Sequence, residues 1–187
     1  MGGPATAHDM VDEARALSAS DLQQAAGYFS SMTFVPRVHV IETATAPKTH
    51  WKYFTLTPDQ SGAREPIGNR IIETPVNFSD YSLSDDRVSY VAYVPPGSIA
   101  KGKELVATGD GGKTIACEIC HGPDLKGLGN IPGLVGLHPI YIVRQLNDIQ
   151  HGARDGAQTA LMKTVVAKLD TDDMINIAAY VSSLAPQ

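Results

Sequence analysis

The chain has 187 residues, 43% of them apolar, enough for one domain or two small ones with a core, and nothing in its composition marks it as disordered. Its 15 basic against 20 acidic residues leave a formal charge of -5 and a pI near 5.6, so a nucleic-acid role has no electrostatic support, while a partner with a basic patch is easily accommodated. No apolar run approaches the roughly 18 residues of a transmembrane helix, and the first twenty residues lack the basic start and apolar core of a secretory signal.

Residues 10–32 match residues 162–184 without a gap. Met10, Leu17, Asp21, Ala26, Tyr28, Ser30 and Ser31 align with Met162, Leu169, Asp173, Ala178, Tyr180, Ser182 and Ser183. Each copy reads as a methionine, a short spacer, a helix start and an aromatic-bearing helix. Ser18-x-x-Asp21 and Asp170-x-x-Asp173 predict N-caps with an acid in the first turn, where it favours the helix dipole. Met174, Ile177, Ala178 and Val181 recur at i, i+3, i+4 and i+7 as one apolar stripe. The repeat makes residues 1–32 the C-terminal part of a second domain of the kind that ends the chain.

Residues 33–94 have another texture. Val38–Ile41, Trp51–Thr55, Arg70–Glu73 and Val88–Val94 are short β-branched and aromatic runs, broken by Pro36, Pro47, Pro58, Pro66 and Pro75. They predict short strands wrapped between or against helical parts, with Trp51 and the tyrosines in a core. His39 and His50 have no cysteine or acid at ligand spacing and read as surface or satisfied core histidines. Pro95-Pro96-Gly97-Ser98 is the boundary, with Ser98 expected to cap a helix running to about Ala107. Gly102 within it would let another helix cross closely, the natural partner being the segment around Ala178, Ala179 and Tyr180.

Cys117-Glu118-Ile119-Cys120-His121 holds both cysteines of the chain and sets a histidine directly after the second, which is the attachment signature of a c-type haem. Thiols three residues apart can each add to one vinyl group on an edge of the porphyrin, and the short loop then holds the His121 imidazole under the iron. A structural zinc site would want further cysteine or histidine ligands at similar spacing, and a thioredoxin-like pair would want a βαβ context. The motif leads instead into a glycine-rich stretch, Gly122 to Gly136, expected to run as a loop around the porphyrin edge. Pro132 lies in it, and its region can place a backbone carbonyl on the free ring nitrogen of His121. His138-Pro139 starts a further helix ending near Gly152, with Ile142, Leu146 and Ile149 on its buried face. Tyr141, Arg144 and Gln145 could meet a propionate, although a solvated face is the account the pattern favours. A loop from Ala153 to Thr164 then carries Met162, whose thioether is the expected sixth ligand. Met174 belongs to the helix stripe, and His151 to a helix end. His8 and Met10 look like what is left of a corresponding loop in the earlier copy.

Taken together, the helix around Gly102 and Leu105, the Cys-x-x-Cys-His motif, Pro132, the helix from Tyr141 to Leu146, Met162 and the closing helix with Tyr180 resemble a class I cytochrome c domain over residues 96–187. The whole chain further resembles the two-domain, dihaem-type cytochromes c of the bacterial periplasm, lacking most of the first domain. The resemblance implies a mainly α fold. A class I cytochrome c helical domain around a covalent haem (96–187) would be preceded by a β-rich, irregular connector (33–95) and a remnant helix of another cytochrome domain (1–32). It implies one covalently attached haem c per chain, with Cys117, Cys120, His121, Met162 and Pro132 at the cofactor and His121 and Met162 on the iron. It implies an electron carrier rather than an enzyme, serving redox partner proteins such as a dehydrogenase, oxidase or reductase. The alternative is a cytochrome subunit of an oxidoreductase complex, with residues 33–94 as the docking surface. Haem attachment by thioethers implies a periplasmic location, so the sequence is expected to be a processed form or part of a longer precursor. Two features depart from the family pattern: the glycine loop at 109–112 lengthens the spacing before the motif, and the 33–94 segment has no counterpart in a minimal domain.

Overall fold

A computed structural model describes residues 5–184, with side chains from residue 11 onward. The chain separates into two compact units, the first ending at Phe34 and the second beginning at Val35.

The first unit is a pair of helices, α1 (Ala5–Ala16) and α2 (Ala19–Ser31). Ser18 accepts the Asp21 backbone N–H, and the Asp21 carboxylate accepts the Ser18 backbone N–H in return, so two orphan donors of α2 are satisfied locally. His8 and Met10 fall within α1, and their side chains lie outside the described residues.

The second unit starts with small sheets. Strands β1 (Val38–Glu42), β6 (Ile72–Pro75) and β7 (Tyr90–Val94) form a three-stranded sheet in the order β1-β7-β6, parallel between β1 and β7 and antiparallel between β7 and β6. Strands β2 (Thr45–Pro47) and β5 (Arg64–Pro66) pair antiparallel, as do β3 (Thr49–Lys52) and β4 (Thr55–Pro58). The run Trp51–Thr55 is therefore not one strand. It reverses at Tyr53 and Phe54, whose φ values of 45° and 65° lie in the left-handed region. Contacts from the short helix α3 (Phe78–Ser82) hold this reversal: the Tyr81 hydroxyl donates to the Tyr53 carbonyl at 2.7 Å, and the Lys52 ammonium lies 4.3 Å from the Phe78 ring centroid. The expectation that Trp51 is core fails for the same reason. At the hairpin end it is 67% exposed, with Tyr53 and Phe54 exposed beside it.

Helices make up the rest: α4 (Ser98–Thr108), the single turn α5 (Glu118–His121), α6 (Pro139–Gln150), α7 (Thr159–Val166) and α8 (Thr171–Ser183). Ser98 does not cap α4. The Ser98 N–H donates to the Pro95 carbonyl across a tight turn, Gly97 takes the cap position at φ 82°, and Ser98 becomes the buried first residue of the helix. The donor at Ile99 is satisfied from afar, by the Glu42 carboxylate of β1 at 2.8 Å. The crossing of α4 and α8 is as close as Gly102 allows. A Cβ there would run into the Asn176 carbonyl oxygen and stand 2.8 Å from the Tyr180 Cβ. Leu105 and Val106 of α4, Ile142, Leu146 and Ile149 of α6, and Met174, Ile177, Ala178 and Val181 of α8 form one buried core. Each large apolar side chain buried there contributes on the order of 1.5–3 kcal/mol. The β-rich segment is built onto this core: Ile71 packs against it, and the Asn69 amide donates to the Asp172 carboxylate at the start of α8.

Candidate functional site

The Cys-x-x-Cys-His motif folds as one helical turn, with the His121 N–H donating to the Cys117 carbonyl at 2.9 Å. Residues three apart in such a turn share a face, so Cys117 and Cys120 present their thiols to the same side. The turn hangs on α4 through the Cys117 N–H, which donates to the Val106 carbonyl at 2.8 Å. Cys120 is exposed, whereas Cys117 borders the helical core, and burial pushes its thiol up to about 11. A sulfur held neutral in apolar surroundings suits a thioether better than a metal thiolate.

His121 is buried, and its Nδ1–H donates to the Pro132 carbonyl at 2.7 Å. In the neutral imidazole that bond puts the proton on Nδ1, which leaves the Nε2 lone pair for a metal. The glycine loop is folded to deliver this carbonyl. The Gly127 N–H donates to the His121 carbonyl at 2.9 Å, and at φ 95° a Cβ on Gly127 would stand 2.5 Å from the Ile131 oxygen, so only glycine lets the loop close on itself. Leu125, fully buried, pins the loop to the core, and its carbonyl accepts the Leu134 N–H at 2.8 Å.

Met162 does not lie in a loop. The Thr159 hydroxyl and backbone N–H both donate to the Gly156 carbonyl, starting α7 three residues ahead of it, and no glycine or proline interrupts the run beyond. Met162 is half-buried at the margin of the same core that Cys117 borders. Two sets of bonds fix α7 in place. The Gln150 amide donates to the Val166 and Leu169 carbonyls at 2.7 and 2.8 Å, and the Thr114 hydroxyl, three residues before Cys117, donates to the Val165 carbonyl at 2.6 Å. The segment that carries the cysteines and the helix that carries Met162 are thus tied directly. Met174 is in the core, and His151 is exposed, its Nδ1–H donating to the Asn147 carbonyl at 2.9 Å. Tyr141 and Arg144 lie on an exposed face of α6, and the Gln145 amide oxygen accepts from the Arg154 guanidinium. His39 is exposed, and His50 pairs with Asp59 at 2.8 Å. Among the described residues no group of three or more His, Cys, Asp or Glu side chains is placed to hold a metal ion, so the ligands a zinc site would need are not gathered around the cysteines. The donor set fits a covalently held haem: two thiols on one face, an adjacent imidazole with its ligating nitrogen bare, and a thioether at the edge of an apolar core.

Three contacts had no local sequence signal. Glu73 on β6 bonds His138 across 65 positions, Glu42 caps α4 across 57, and Lys113 reaches Asp170 and Asp173 at the start of α8.

Residues 99–185 match the family model described as Cytochrome c. The chain is 34% identical over 139 residues to cytochrome c4 of Azotobacter vinelandii, covering 66% of this chain and 65% of that protein. It is 34% identical over 88 residues to cytochrome c-554(548) of Halomonas halodenitrificans, covering 46% of this chain and 96% of that one. It is 32% identical over 72 residues to a thiosulfate dehydrogenase electron acceptor of Stutzerimonas stutzeri, covering 37% of this chain and 32% of that one. The chain spans 59–65% of the length of the cytochrome c4 relatives it matches. With a motif, a helical core and a relative matched almost from end to end, the chain belongs to the cytochrome c family.

Proposed function

We propose that this chain carries single electrons in the bacterial periplasm through one haem c, held covalently by Cys117 and Cys120 and ligated by His121 and Met162. The observation that carries the reading is the His121–Pro132 hydrogen bond, which turns Nδ1 to the carbonyl and leaves Nε2 as the nitrogen free to ligate, one residue from Cys120. The bound haem supplies a one-electron iron couple. Around it the chain does four things. Cys117 and Cys120 would anchor the porphyrin edge through two thioethers. Pro132 holds the tautomer of His121 and raises its basicity. Met162 would offer the iron a soft, neutral donor, which favours the reduced state. Exposed Ile119 and Leu161 lie beside Cys120 and Met162 in sequence and give partners an apolar contact at the site.

Two measurements test this. The intact mass of the acid-denatured chain, exported and matured, is expected to show one haem attached, and Cys117→Ser with Cys120→Ser is expected to show none. An exported chain without haem would sink the reading.

A second reading is a subunit of an oxidoreductase complex that docks through residues 33–94. It draws support from the relative described as an electron acceptor of thiosulfate dehydrogenase and from the way this segment is built onto the helical core. A stable complex lost on deleting that segment favours it, whereas salt-dependent electron exchange by a monomer with several partners favours the free carrier. Residues 1–32 are read as the closing part of a second cytochrome domain, a reading supported by the shared capping boxes of α2 and α8.

A further inference from the structure

The glycine turn at 109–112, between α4 and the Cys-x-x-Cys-His motif, closes on itself. Gly109 ends α4 at φ 75°, and its carbonyl accepts the Gly112 N–H at 3.2 Å and the Thr114 N–H at 3.1 Å. A Cβ on Gly109 would stand 2.4 Å from the Thr114 carbonyl oxygen, so only glycine lets the chain fold back this tightly. Three residues on, the Cys117 N–H returns to the Val106 carbonyl of α4 at 2.8 Å. Lys113 and Thr114 therefore stand on a loop pinned to α4 at both ends.

Both side chains reach out of that loop to the joint between α7 and α8. The Thr114 hydroxyl donates to the Val165 carbonyl in the last turn of α7 at 2.6 Å. The Lys113 ammonium lies 2.5 Å from the Asp173 carboxylate and 3.2 Å from that of Asp170, at the start of α8. The size of α7 decides how much these ties matter. It has eight residues and no side-chain cap at its first end, whereas an isolated helix needs roughly 12–15 residues to persist in water. It buries Thr159 and Val166, while Leu161 is 76% exposed. With so little apolar surface to hold it, its docking depends on donors from its neighbours, Gln150 of α6 and Thr114 of the cysteine segment. Of these two, Thr114 opposes movement of α7 away from the cysteines. Met162 lies three residues before Val165, so any such movement carries its sulfur along.

We propose that Thr114, aimed by the glycine turn and seconded by Lys113, is the positioning residue that keeps Met162 at the sixth position of the iron. The inference rests on Met162 being that ligand. The test uses the haem-loaded ferric chain and reads the sulfur-to-iron charge-transfer band, the rate of cyanide binding and amide exchange in α7. Thr114→Val, which keeps the shape and loses the donor, should weaken the band and speed cyanide binding about fivefold, the effect of one lost hydrogen bond. Thr114→Ser, which keeps the hydroxyl, should restore both. Lys113→Met leaves Asp173 bonded to the Asp170 N–H within the capping box. It should speed cyanide binding by less, and it stands in for Thr114→Val should that variant not mature. Faster exchange in α7 without faster cyanide binding would mark a purely structural tie and overturn the proposal, as would Thr114→Ser behaving like Thr114→Val. Met162→Ala should abolish the band, and Thr114→Val added to it should bring no further acceleration. A band that survives Met162→Ala would sink the ligand assignment itself. Its loss there, beside indifference to Thr114→Val and Lys113→Met, would overturn the role of Thr114 alone.

Discussion

Helices α2 and α8 are the same object locally and opposites in what they bury. Both have 13 residues, each boundary of α2 lies 152 positions before that of α8, both open on a complete capping box and both end on an extended residue. Yet α8 buries Met174, Ile175, Ile177, Ala178, Ala179 and Val181, and α2 buries nothing. Leu22 and Phe29, the counterparts of Met174 and Val181, are 48% and 67% exposed. The difference is the partner. Helix α4 meets α8 at Gly102 and closes its apolar stripe, whereas the described residues of the first unit include no helix that covers α2. Helix formation is decided by caps and periodicity within a dozen residues; burial is decided by what lies across the groove.

The strongest way to break this comparison is to remove the crossing. Gly102→Val drives a side chain into the Asn176 carbonyl and should cost on the order of 3 kcal/mol or more in urea unfolding. An unchanged midpoint would mean that the close approach is not what buries α8. The paired methionines give the next contrast. Met162→Ala should lower the reduction potential by on the order of 0.1 V, within the roughly 0.8 V range that axial ligands span, and should admit cyanide, while Met10→Ala leaves the potential where it was. Spectroelectrochemistry reads both, and an unaltered spectrum in Met162→Ala would refute the ligand assignment.

The caps come next. Asp170→Ala should lower global stability by about 1 kcal/mol, because α8 is part of the core. Ser18→Ala should instead fray α2 alone, seen as faster amide exchange at Asp21 without a shift in the unfolding midpoint. Asp170 also adds an acid sensitivity. The Asp173 backbone N–H, and then Lys113, hold its carboxyl below the ordinary carboxylate value. Its stabilisation is therefore fully present above the unfolded value near 3.9 and disappears as pH falls through the lower folded value. The wild-type midpoint should drop across that acid window, and Asp170→Ala should flatten the drop. Smallest of all, Gly27→Ala, at the counterpart of buried Ala179, meets nothing within 4 Å and should raise the helicity of α2 by about 0.5–1 kcal/mol in far-UV circular dichroism.

Features specified by neighbouring residues are legible in the sequence. The capping acids, the Met174–Val181 stripe, the His138-Pro139 helix start and the close crossing at Gly102 all come from spacing and side-chain size, and the structure has each of them. Features that depend on backbone direction read less well. Met162 reads as a loop residue and sits in α7; the Trp51–Thr55 run reads as a strand and turns back at Tyr53; Ser98 reads as a cap and is displaced by Gly97. In each case a hydrogen bond to a residue three before, or across a reversal, outweighs the composition of the segment.

By itself the sequence determined the chemistry that can occur here, because two thiols, an imidazole and their spacing are covalent facts that no packing alters. It also determined α2 and α8, because their capping boxes satisfy the first donors within one turn. Only the tertiary structure decided that Thr114 ties the cysteine loop to the helix of Met162, and that Glu73 bonds His138 through one oxygen and, among the described residues, leaves the other unpaired. Those contacts join residues 51 and 65 positions apart, and no local pattern encodes them. They exist because the helical core, once packed, leaves each of these polar groups a single place to find a partner or, for one oxygen of Glu73, none.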